Sequence, residues 1–537
     1  MAHEIDRNRK TLRFGWYALA VIVFGLVIAI RIRLLGIPLE RDEGEYAYAG
    51  QLMLQGIPPY MLAYNMKFPG TYAAYALIMS IFGQTIFGIH LGLLLVNTAT
   101  SGLIFLLGRR LMNNSTAGIA AATTYLVLSV SPSVLGLAAH ATHFVMLPVL
   151  GGTLLLLNES GRQHSGRLFA SGLLFGLSVL MKQPAVFFIV FAAIYLVFKD
   201  VQRGFGLKSI LLRTLFFSTG VILPLGIASF FLWRAGVFDK FWFWTIDYAR
   251  QYGSLIPLSQ APQIFLRSVE EVIGAGWALW GLAGVGAAVG LCNQRMRGST
   301  IVLIGFLFFS ALALCPGFHF RSHYFILVLP AVSLLVGAAI SKLSDLGVGR
   351  MILVRSVPLI LLAATLSMPL LSDKKVFLEV SPSQACGMIY PENPFQESIR
   401  IAQYVHEHTR PEDTIAVLGS EPEIYFYAKR HSATGYIYTY SLMEPQTYAQ
   451  KMQQEMIREI EAARPKYLIS VAMSYSWLRR PDSDPLIFTW ANEYIAQNYA
   501  ADGFVNIAPK ETDYFFGNVP PSVESLKDYI LIYKRNP

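Results

Sequence analysis

The hydrophobic residues of this chain are concentrated in long stretches that are separated by short polar connectors. A helix that crosses the hydrocarbon core of a bilayer needs about 20 apolar residues, and fewer where helices pack together inside a bundle. The pattern therefore predicts eleven membrane-spanning helices, at residues 14–34, 85–107, 116–131, 144–157, 168–181, 184–198, 214–233, 272–291, 300–315, 324–341 and 351–371.

The basic residues between these stretches predict how the chain is oriented. Lys and Arg are enriched in cytoplasmic connectors, and the segment RNRKTLR (7–13) places the N-terminus in the cytoplasm. No small-residue cleavage site follows the first stretch, which predicts a retained helix rather than a signal peptide. Residues 168–198 are either one long helix or a hairpin that turns at Lys182. The hairpin keeps the later basic connectors in the cytoplasm, so we predict the hairpin.

The same count of spans places several connectors on the outer face. These segments are residues 35–84, 131–143, 181–185, 234–271 and 315–325. An odd number of spans also places everything after residue 371 outside the cytoplasm. We therefore predict an integral membrane protein with a transmembrane domain at residues 1–371 and an extracytoplasmic domain at residues 372–537.

The segment after residue 371 has the polar composition and the alternating patterns of a soluble α/β domain. A single glycine follows the strand in VLGSEPEIY, so no dinucleotide fingerprint is present. Helices are predicted at PFQESIRIAQYVHEHT (394–409), EPEIYFYAKR (421–430) and residues 444–464. Strands are predicted at DTIAVLGS (413–420), GYIYTY (435–440), PKYLISVAM (465–473), GFVNIAPK (503–510) and YILIYKR (529–535). The predicted fold class is a polytopic α-helical membrane protein with a C-terminal soluble α/β domain.

Composition supports the membrane class. The chain is 54% hydrophobic and 14% charged, whereas soluble proteins carry about 25% charged residues. A net charge of +9 would suggest nucleic acid in a soluble protein, but most basic residues lie in the connectors, where they set topology. We therefore predict no nucleic-acid partner. Cys292, Cys315 and Cys386 lack metal-ligand spacing and cannot all pair, so no disulfide framework is predicted.

Three acids, Asp42, Glu43 and Glu45, lie within four positions of the first outer loop. Residues 41–55 predict a short helix at the membrane surface, and helical spacing places Asp42, Glu45 and Tyr46 on one face. In the first turn, the helix dipole favours an ionised carboxylate at Asp42, which can act as a base. Taken alone, such a cluster is equally typical of a solvated loop.

Cations and polar side chains in the outer segments are the predicted neighbours of these acids. Taken singly, each is also typical of a membrane-interface anchor or of a satisfied polar group. Together they favour a site for an anionic substrate that is embedded in the membrane. The residues predicted to bind the anionic group are Lys67, Lys182, Arg321, His323 and Tyr324. The residues predicted to lie elsewhere in the same cavity are Tyr46, Tyr64, His140 and His143.

Several longer motifs resemble one superfamily. RDEGEYAYAGQLMLQGIPPY (41–60), followed by KFPGTYAAYAL (67–77), resembles the first outer loop of the polyprenyl-phosphate-sugar-dependent glycosyltransferases of the C superfamily, GT-C. That group includes the protein O-mannosyltransferases and the lipid A aminoarabinose transferases. The resemblance extends over nearly the whole chain. Further motifs that carry it are GRRL (108–111), MKQPA (181–185), HYFILVLPAVSLLVG (323–337) and AVLGSEPEIYFYAKR (416–430).

This resemblance implies a GT-C fold and roles for two residues. Asp42 matches the catalytic carboxylate of the family, and Lys67 matches the lysine that contacts the donor phosphate. Glu43 and Glu45 are the reserve candidates for the base. There are two departures: the lipid A enzymes have arginine where this chain has Glu45, and residues 131–143 lack the acid that many relatives carry there. A histidine, His140 or His143, is the candidate to replace that acid.

The predicted function is transfer of a sugar, with inversion, from a polyprenyl-phosphate donor to a lipid, glycan or protein acceptor on the outer face. Cations can neutralise the leaving phosphate, so neither a metal nor another cofactor is expected. Membrane lipids are the remaining predicted partners. Two alternatives stand beside this prediction: a transporter of lipid-linked sugars or polysaccharides, and a non-catalytic assembly subunit. A transporter is disfavoured because the sequence has no inverted repeat and no matching pair of interrupted helices.

Overall fold

The computed structural model describes residues 2–157, 165–346, 352–508, 512–517, 519 and 527–537. Most of these residues are helical, and they group into two compact units. The first unit contains residues 1–35, 90–228 and 256–380, and the second contains residues 36–89, 229–255 and 381–537. The first outer loop therefore packs in the same unit as the C-terminal domain.

Most of the long apolar helices lie in the first unit. The α-helices that lie wholly or mostly in it are Ala2–Arg33, Ile86–Met112, Ser115–Val130, Ala141–Leu157, Ser165–Met181, Val186–Gln202, Leu207–Arg234, Ala261–Ile273, Trp277–Cys292, Arg297–Leu312, Leu329–Leu346 and Ile352–Ser372. Short 3-10 or π turns connect them at Pro132–Val134, Gln183–Ala185, Gly274–Gly276, Pro316–Phe318, Ser322–Leu327 and Lys375–Glu379.

Length and composition make seven helices of the described residues suitable for crossing a membrane. These are Thr11–Arg33, Ile86–Met112, Gln183–Gln202, Leu207–Arg234, Ala261–Cys292, Leu329–Leu346 and Val354–Ser372. Shorter apolar helices are Pro69–Phe82, Ser115–Val130, Ala141–Leu157, Ser165–Met181 and Arg297–Leu312. Every predicted span overlaps one of these helices, but the bounds differ: at 324–341, for example, the helix begins only at Leu329, after the turn Ser322–Leu327. Residue 351 of the last predicted span lies outside the described residues. The polytopic helical fold is confirmed, and the number of eleven crossings stays a prediction.

The region 168–198 forms two helices rather than one. Lys182 has an extended backbone, with φ −158° and ψ 131°, between the helices Ser165–Met181 and Val186–Gln202. Pro184 lacks the amide hydrogen that would continue the first helix, so it favours the 3-10 turn that follows Lys182. The predicted break at this position is confirmed.

Small residues allow close packing between the apolar helices of the first unit. Gly286 on helix Trp277–Cys292 lies against the backbone of Leu335 on helix Leu329–Leu346, where an added Cβ would collide with the Leu335 carbonyl. Lipid supplies little hydrophobic driving force between helices, so close backbone approach at small residues is a main source of their association. Gly286 is therefore a packing residue of this unit.

The second unit contains one six-stranded sheet in the order β2-β1-β3-β6-β4-β5. β1 pairs in parallel with β2 and β3, and the remaining pairs are antiparallel. The strands are β1 Thr414–Leu418, β2 His431–Ser432, β3 Tyr467–Ala472, β4 Tyr499–Ile507, β5 Thr512–Phe516 and β6 Tyr529–Arg535. Parallel pairs need crossover connections, and helices follow β1 in the sequence, so the α/β prediction is confirmed.

Helices of the second unit come from all three of its chain segments. They are Arg41–Leu54, Pro69–Phe82, Phe238–Trp242, the π turn Phe243–Tyr248, Ala249–Gly253, Pro382–Ile389, Phe395–Glu407, Glu423–Ala428, Tyr440–Met443, Ala449–Ala463, Ser474–Trp477 and Leu486–Asn498. The amphipathic helix Ala449–Ala463 buries Met452, Met456 and Ile460 in a core that also holds Leu468 of β3. This burial anchors the helix to the sheet.

The predicted elements of the C-terminal domain are confirmed with one exception, although residues 509–510 of the predicted strand GFVNIAPK lie outside the described residues. The strand predicted at GYIYTY (435–440) is wrong. The Gly435 carbonyl accepts a hydrogen bond from the Tyr64 amide at 2.7 Å, and the Tyr436 ring packs against the Tyr64 ring. The backbone of this segment therefore pairs with the first loop instead of the sheet.

Candidate active site

The helix Arg41–Leu54, which we call the loop helix, begins with a capping box. The Glu40 side chain accepts a hydrogen bond from the Glu43 amide at 3.0 Å, and the Glu43 side chain accepts one from the Glu40 amide at 3.3 Å. Glu43 is 1% exposed. The predicted helix is confirmed, and the Glu43 carboxylate serves to cap it.

One lysine joins the other two acids of the cluster. Lys67 Nζ lies 2.8 Å from Asp42 Oδ1 and 2.7 Å from Glu45 Oε2. Residues three apart on a helix share a face, which explains why both carboxylates reach the same ammonium group. We call Asp42, Glu45 and Lys67 the Lys67 triad. Its three members were all predicted site residues, and they meet within the second unit.

Glu45 is enclosed by hydrogen-bond donors. Tyr72 Oη donates to Glu45 Oε1 at 2.6 Å, and Asn65 Nδ2 donates to Glu45 Oε2 at 2.8 Å. Asn65 Oδ1 accepts from the Met66 amide at 2.7 Å, which fixes the orientation of the Asn65 amide. Glu45 is fully buried. Its position suits a carboxylate that holds neighbouring groups in place.

Asp42 is the accessible acid of the cluster. Its side chain is 16% exposed, whereas the side chain of Glu45 is 0% exposed. It lies in the first turn of the loop helix, as predicted, where the exposed amides and the helix dipole favour a negative charge. Of the three acids, Asp42 is therefore the one that can meet another molecule.

Burial and charge act in opposite directions in the Lys67 triad. Burial raises the pKa of Glu45, and the Lys67 ammonium opposes this shift. Burial alone would lower the pKa of Lys67, but the carboxylates of Asp42 and Glu45 raise the pKa of Lys67 well above its ordinary value. Lys67 is therefore protonated at neutral pH.

Aromatic rings complete the surroundings of Lys67. Its Nζ lies 4.6 Å from the ring centre of Tyr46 on the loop helix and 5.5 Å from that of Tyr438. A cation over an aromatic face is stabilised by the ring quadrupole. Tyr438 belongs to the segment that the sequence predicted to be a strand, so no sequence signal pointed to it. Asn65 and Tyr72, by contrast, flank Lys67 within the motif region and were overlooked.

The loop helix is held in position by contacts with the C-terminal domain. Arg41 Nη2 pairs with Glu421 Oε1 at 3.2 Å, and both side chains are buried. Gly44 lies so close to Glu423 that an added Cβ would be 2.6 Å from the Glu423 amide nitrogen. A larger residue at position 44 would push the loop helix away from the helix Glu423–Ala428. Gly44 therefore allows the close approach that positions Asp42.

Several other predicted site residues come together within the first unit. Lys182 Nζ lies 3.8 Å from the ring centre of Tyr324. The rings of His140 and His323 stack at 4.0 Å with an interplanar angle of 10°. These four residues come from three separate outer segments of the predicted topology, and the structure brings them together in the first unit.

The remaining predicted residues have different surroundings. His143 is completely buried in the first unit, at the start of the helix Ala141–Leu157. Arg321 is exposed and precedes the turn Ser322–Leu327. In the second unit, the Tyr64 hydroxyl donates to Glu459 at 2.9 Å, and its ring stacks on Trp244. Tyr64 therefore belongs to the aromatic core of the C-terminal domain.

The chain is similar to known proteins in part of its sequence and in its fold. The family described as dolichyl-phosphate-mannose-protein mannosyltransferase matches residues 67–233. ArnT from Cupriavidus metallidurans, solved with bound undecaprenyl phosphate, superposes with a TM-score of 0.58 at 13% identity, covering 96% of this chain and 98% of ArnT. No curated protein matches the chain.

An archaeal enzyme has a similar fold. The oligosaccharyltransferase of Archaeoglobus fulgidus in its apo form gives a TM-score of 0.53 at 13% identity, covering 93% of this chain and 74% of that one. The same organism's AglB, in complex with an inhibitory peptide and a dolichol-phosphate, gives 0.52 at 14% identity, with 95% and 75% covered. This chain therefore has the GT-C fold and, as its motifs predict, resembles the polyprenyl-phosphate-sugar-dependent glycosyltransferases of that superfamily.

Proposed function

We propose that this chain is a membrane glycosyltransferase that uses a polyprenyl-phosphate-linked sugar. It transfers the sugar, with inversion, to a lipid, glycan or protein acceptor. The observation that carries the proposal is the contact of Lys67 with the accessible Asp42, at 2.8 Å, in the loop whose motif resembles the family's catalytic loop. The partial match to a mannosyltransferase family and the undecaprenyl phosphate bound to ArnT support the choice of donor class.

The proposed reaction is a single displacement at the anomeric carbon of the donor. The acceptor hydroxyl oxygen forms a bond to that carbon, and the bond from the carbon to the phosphate oxygen breaks with its electron pair on the phosphate. Asp42 accepts the proton of the acceptor hydroxyl, as a general base within hydrogen-bond reach of it. The products are the glycosylated acceptor and the polyprenyl phosphate.

Lys67 is proposed to bind the donor phosphate. Its ammonium is protonated, lies on the same loop as Asp42, and has 19% of its side chain exposed. A fixed cation stabilises the negative charge that develops on the leaving phosphate oxygen. Six residues of the first unit stay predicted site residues, namely Lys182, Arg321, His323, Tyr324, His140 and His143.

Analysis of cellular lipids tests this function. Cells in which the Asp42→Asn variant replaces the wild-type chain should accumulate a polyprenyl-phosphate sugar, and one of their glycans or lipids should lack that sugar. Mass spectrometry of both fractions measures these changes. The Glu455→Gln variant, which changes a glutamate paired with Lys240 instead of Lys67, should behave like wild type. A transporter would still function with Asp42→Asn, and a normal lipid and glycan profile would therefore contradict the proposal.

The proposed location is the inner membrane of a prokaryote, with the transfer on its periplasmic side. The basic connectors support this orientation. A reporter that is active only in the cytoplasm, fused after residue 371, should be inactive, while the same reporter fused to the N-terminus should be active. Activity of the fusion after residue 371 would contradict the proposed side.

A further inference from the structure

Glu45 is part of the site, but its buried carboxylate cannot be reached by a substrate. The carboxylate is fully buried, and three donors surround it: the Tyr72 hydroxyl, the Asn65 amide and the Lys67 ammonium. The Lys67 ammonium and the Tyr72 hydroxyl donate to the carboxylate and so oppose the rise in the pKa of Glu45 that burial causes. Glu45 cannot act on a substrate directly. Its contact with Lys67 is the route by which it can act on a bound phosphate.

Two carboxylates share the single charge of Lys67. Both Asp42 and Glu45 lie within 2.8 Å of its Nζ, so an ionised Lys67 triad carries one positive and two negative charges. An ammonium group has three hydrogens, and two of them are directed to these carboxylates. A phosphate that approaches Lys67 therefore competes with two acids, one of which, Glu45, is held in place by Asn65 and Tyr72.

The donor and the product differ in charge at the group that Lys67 would meet. The donor is a phosphodiester with one negative charge. The released polyprenyl phosphate is a monoester, whose second ionisation has a pKa near 6, so that it carries between one and two charges at neutral pH. Coulomb attraction grows with charge. A lysine without nearby acids would consequently hold the product more tightly than the donor.

We propose that Glu45 is a positioning residue that holds Lys67 and offsets part of its charge, so that the site releases the polyprenyl phosphate product. This inference rests on the proposed function, in which Lys67 contacts the phosphate. Asp42 offsets the same charge only while it is ionised, that is, before it accepts the proton of the acceptor. Glu45, buried away from the acceptor, keeps its charge after the transfer, when the product must leave.

The binding of undecaprenyl phosphate to the full-length protein in lipid nanodiscs tests this inference. Glu45→Gln keeps the shape of the side chain and removes its charge. The dissociation constant, measured by native mass spectrometry titration, should fall about tenfold, the effect expected from removing one nearby like charge in a partly screened site. Sugar transfer should become correspondingly more sensitive to inhibition by added undecaprenyl phosphate.

A double-variant cycle shows whether the effect passes through Lys67. In the Lys67→Ala background, Glu45→Gln should leave the affinity unchanged, because a buried carboxylate without its cation takes up a proton and is already neutral. Glu455→Gln is the matched control, since Glu455 also has a lysine and a tyrosine as partners. It should leave the affinity for undecaprenyl phosphate at the wild-type value.

Tyr72→Phe provides a second variant that keeps all three ionisable groups of the Lys67 triad. It removes the hydroxyl that donates to Glu45, makes the ionised carboxylate less favourable, and should tighten binding by a smaller factor than Glu45→Gln. Unchanged or weaker binding in both variants would overturn the role of Glu45 while leaving the proposed function intact. Wild-type protein that does not bind undecaprenyl phosphate would overturn the proposed function, and the inference with it.

Discussion

The second unit contains two sites that join a lysine, a glutamate and a tyrosine hydroxyl. In the Lys67 triad, Glu45 accepts hydrogen bonds from Lys67 and Tyr72. At the other site, which we call the Lys240 pair, Glu455 accepts from Lys240 at 2.5 Å and from the Tyr436 hydroxyl at 2.7 Å. The partner types are the same. The two sites differ in burial and in the number of acids for each lysine.

Because the two sites differ in burial, the pKa shifts of their glutamates have opposite directions. Burial dominates at Glu45 and raises its pKa. At Glu455, burial would also raise the pKa, but hydrogen bonds from Lys240 and Tyr436 outweigh it and lower the pKa. The Glu455 side chain is 30% exposed and that of Glu45 is 0% exposed. An exposed pair contributes little to stability, whereas a buried lysine shared by two acids is costly to maintain. Its cost favours a functional role for the Lys67 triad.

The largest expected difference between the two sites is in turnover. Asp42→Asn should lower the rate of sugar transfer by about 10²–10⁴-fold, the usual contribution of a general base, and Glu455→Gln should leave it unchanged. The rate can be measured in membrane vesicles that are supplied with donor lipid extracted from cells lacking the protein. Equal rates for Asp42→Asn and wild type would show that Asp42 is not the general base.

Stability should separate the two lysines. Lys67→Ala removes the cation that two acids share, so that the buried Glu45 has to take up a proton, and should reduce the free energy of unfolding by about 3–5 kcal/mol. Lys240→Ala, at a pair with a 36% exposed lysine side chain, should cost about 0–1 kcal/mol. Thermal unfolding of both variants in the same detergent measures this. Equal losses would show that the two sites do not differ energetically.

The packing of the loop helix should have an intermediate effect. Gly44→Ala places a methyl group 2.6 Å from the Glu423 amide nitrogen and should destabilise the protein by about 1–3 kcal/mol, as overpacking usually does. Gly281→Ala, on the helix Trp277–Cys292, meets nothing within 4 Å and serves as the control. Thermal unfolding should show a loss for Gly44→Ala and none for Gly281→Ala. The reverse order would contradict the close approach at Gly44.

The smallest expected effect is the pH dependence of the Lys240 pair. The pKa of Glu455 is lowered in the folded protein, so its stabilisation is present above the ordinary value of 4.5 and is lost as the pH falls through the lowered pKa. Wild type should be more stable than Glu455→Gln by less than about 1 kcal/mol at pH 7. The difference should vanish below the lowered pKa. A difference that grows as the pH falls would reverse the sign of this shift.

Local patterns predicted much of the fold. Apolar stretches located the long helices, and Pro184 explains the break after Lys182. The alternating strands and helices predicted the α/β domain. Contacts between distant segments could not be read from periodicity: Gly435 pairs with Tyr64 across more than 350 residues, so GYIYTY has the composition of a strand without forming one.

The members of the Lys67 triad were predictable from the sequence, but the different roles of the acids were not. The motif around Asp42 and Lys67 identified two members of the Lys67 triad, and helical spacing added Glu45. Sequence could not distinguish the three acids, because their difference is one of exposure and partners: Glu43 caps the helix, Glu45 is enclosed, and Asp42 is accessible. Sequence patterns also could not identify Tyr438, because only the tertiary fold brings its ring close to Lys67.

The division of work between Asp42 and Lys67 is tested most directly by the binding of undecaprenyl phosphate to two variants of the full-length protein in nanodiscs. Asp42→Asn should bind it at least as tightly as wild type, because the phosphate cation remains and one like charge is removed. Lys67→Ala should bind it much more weakly, and Lys67→Arg should recover only part of the loss because a planar guanidinium replaces a compact charge. If Asp42→Asn loses binding while Lys67→Ala retains it, the assignment of base and phosphate ligand is contradicted.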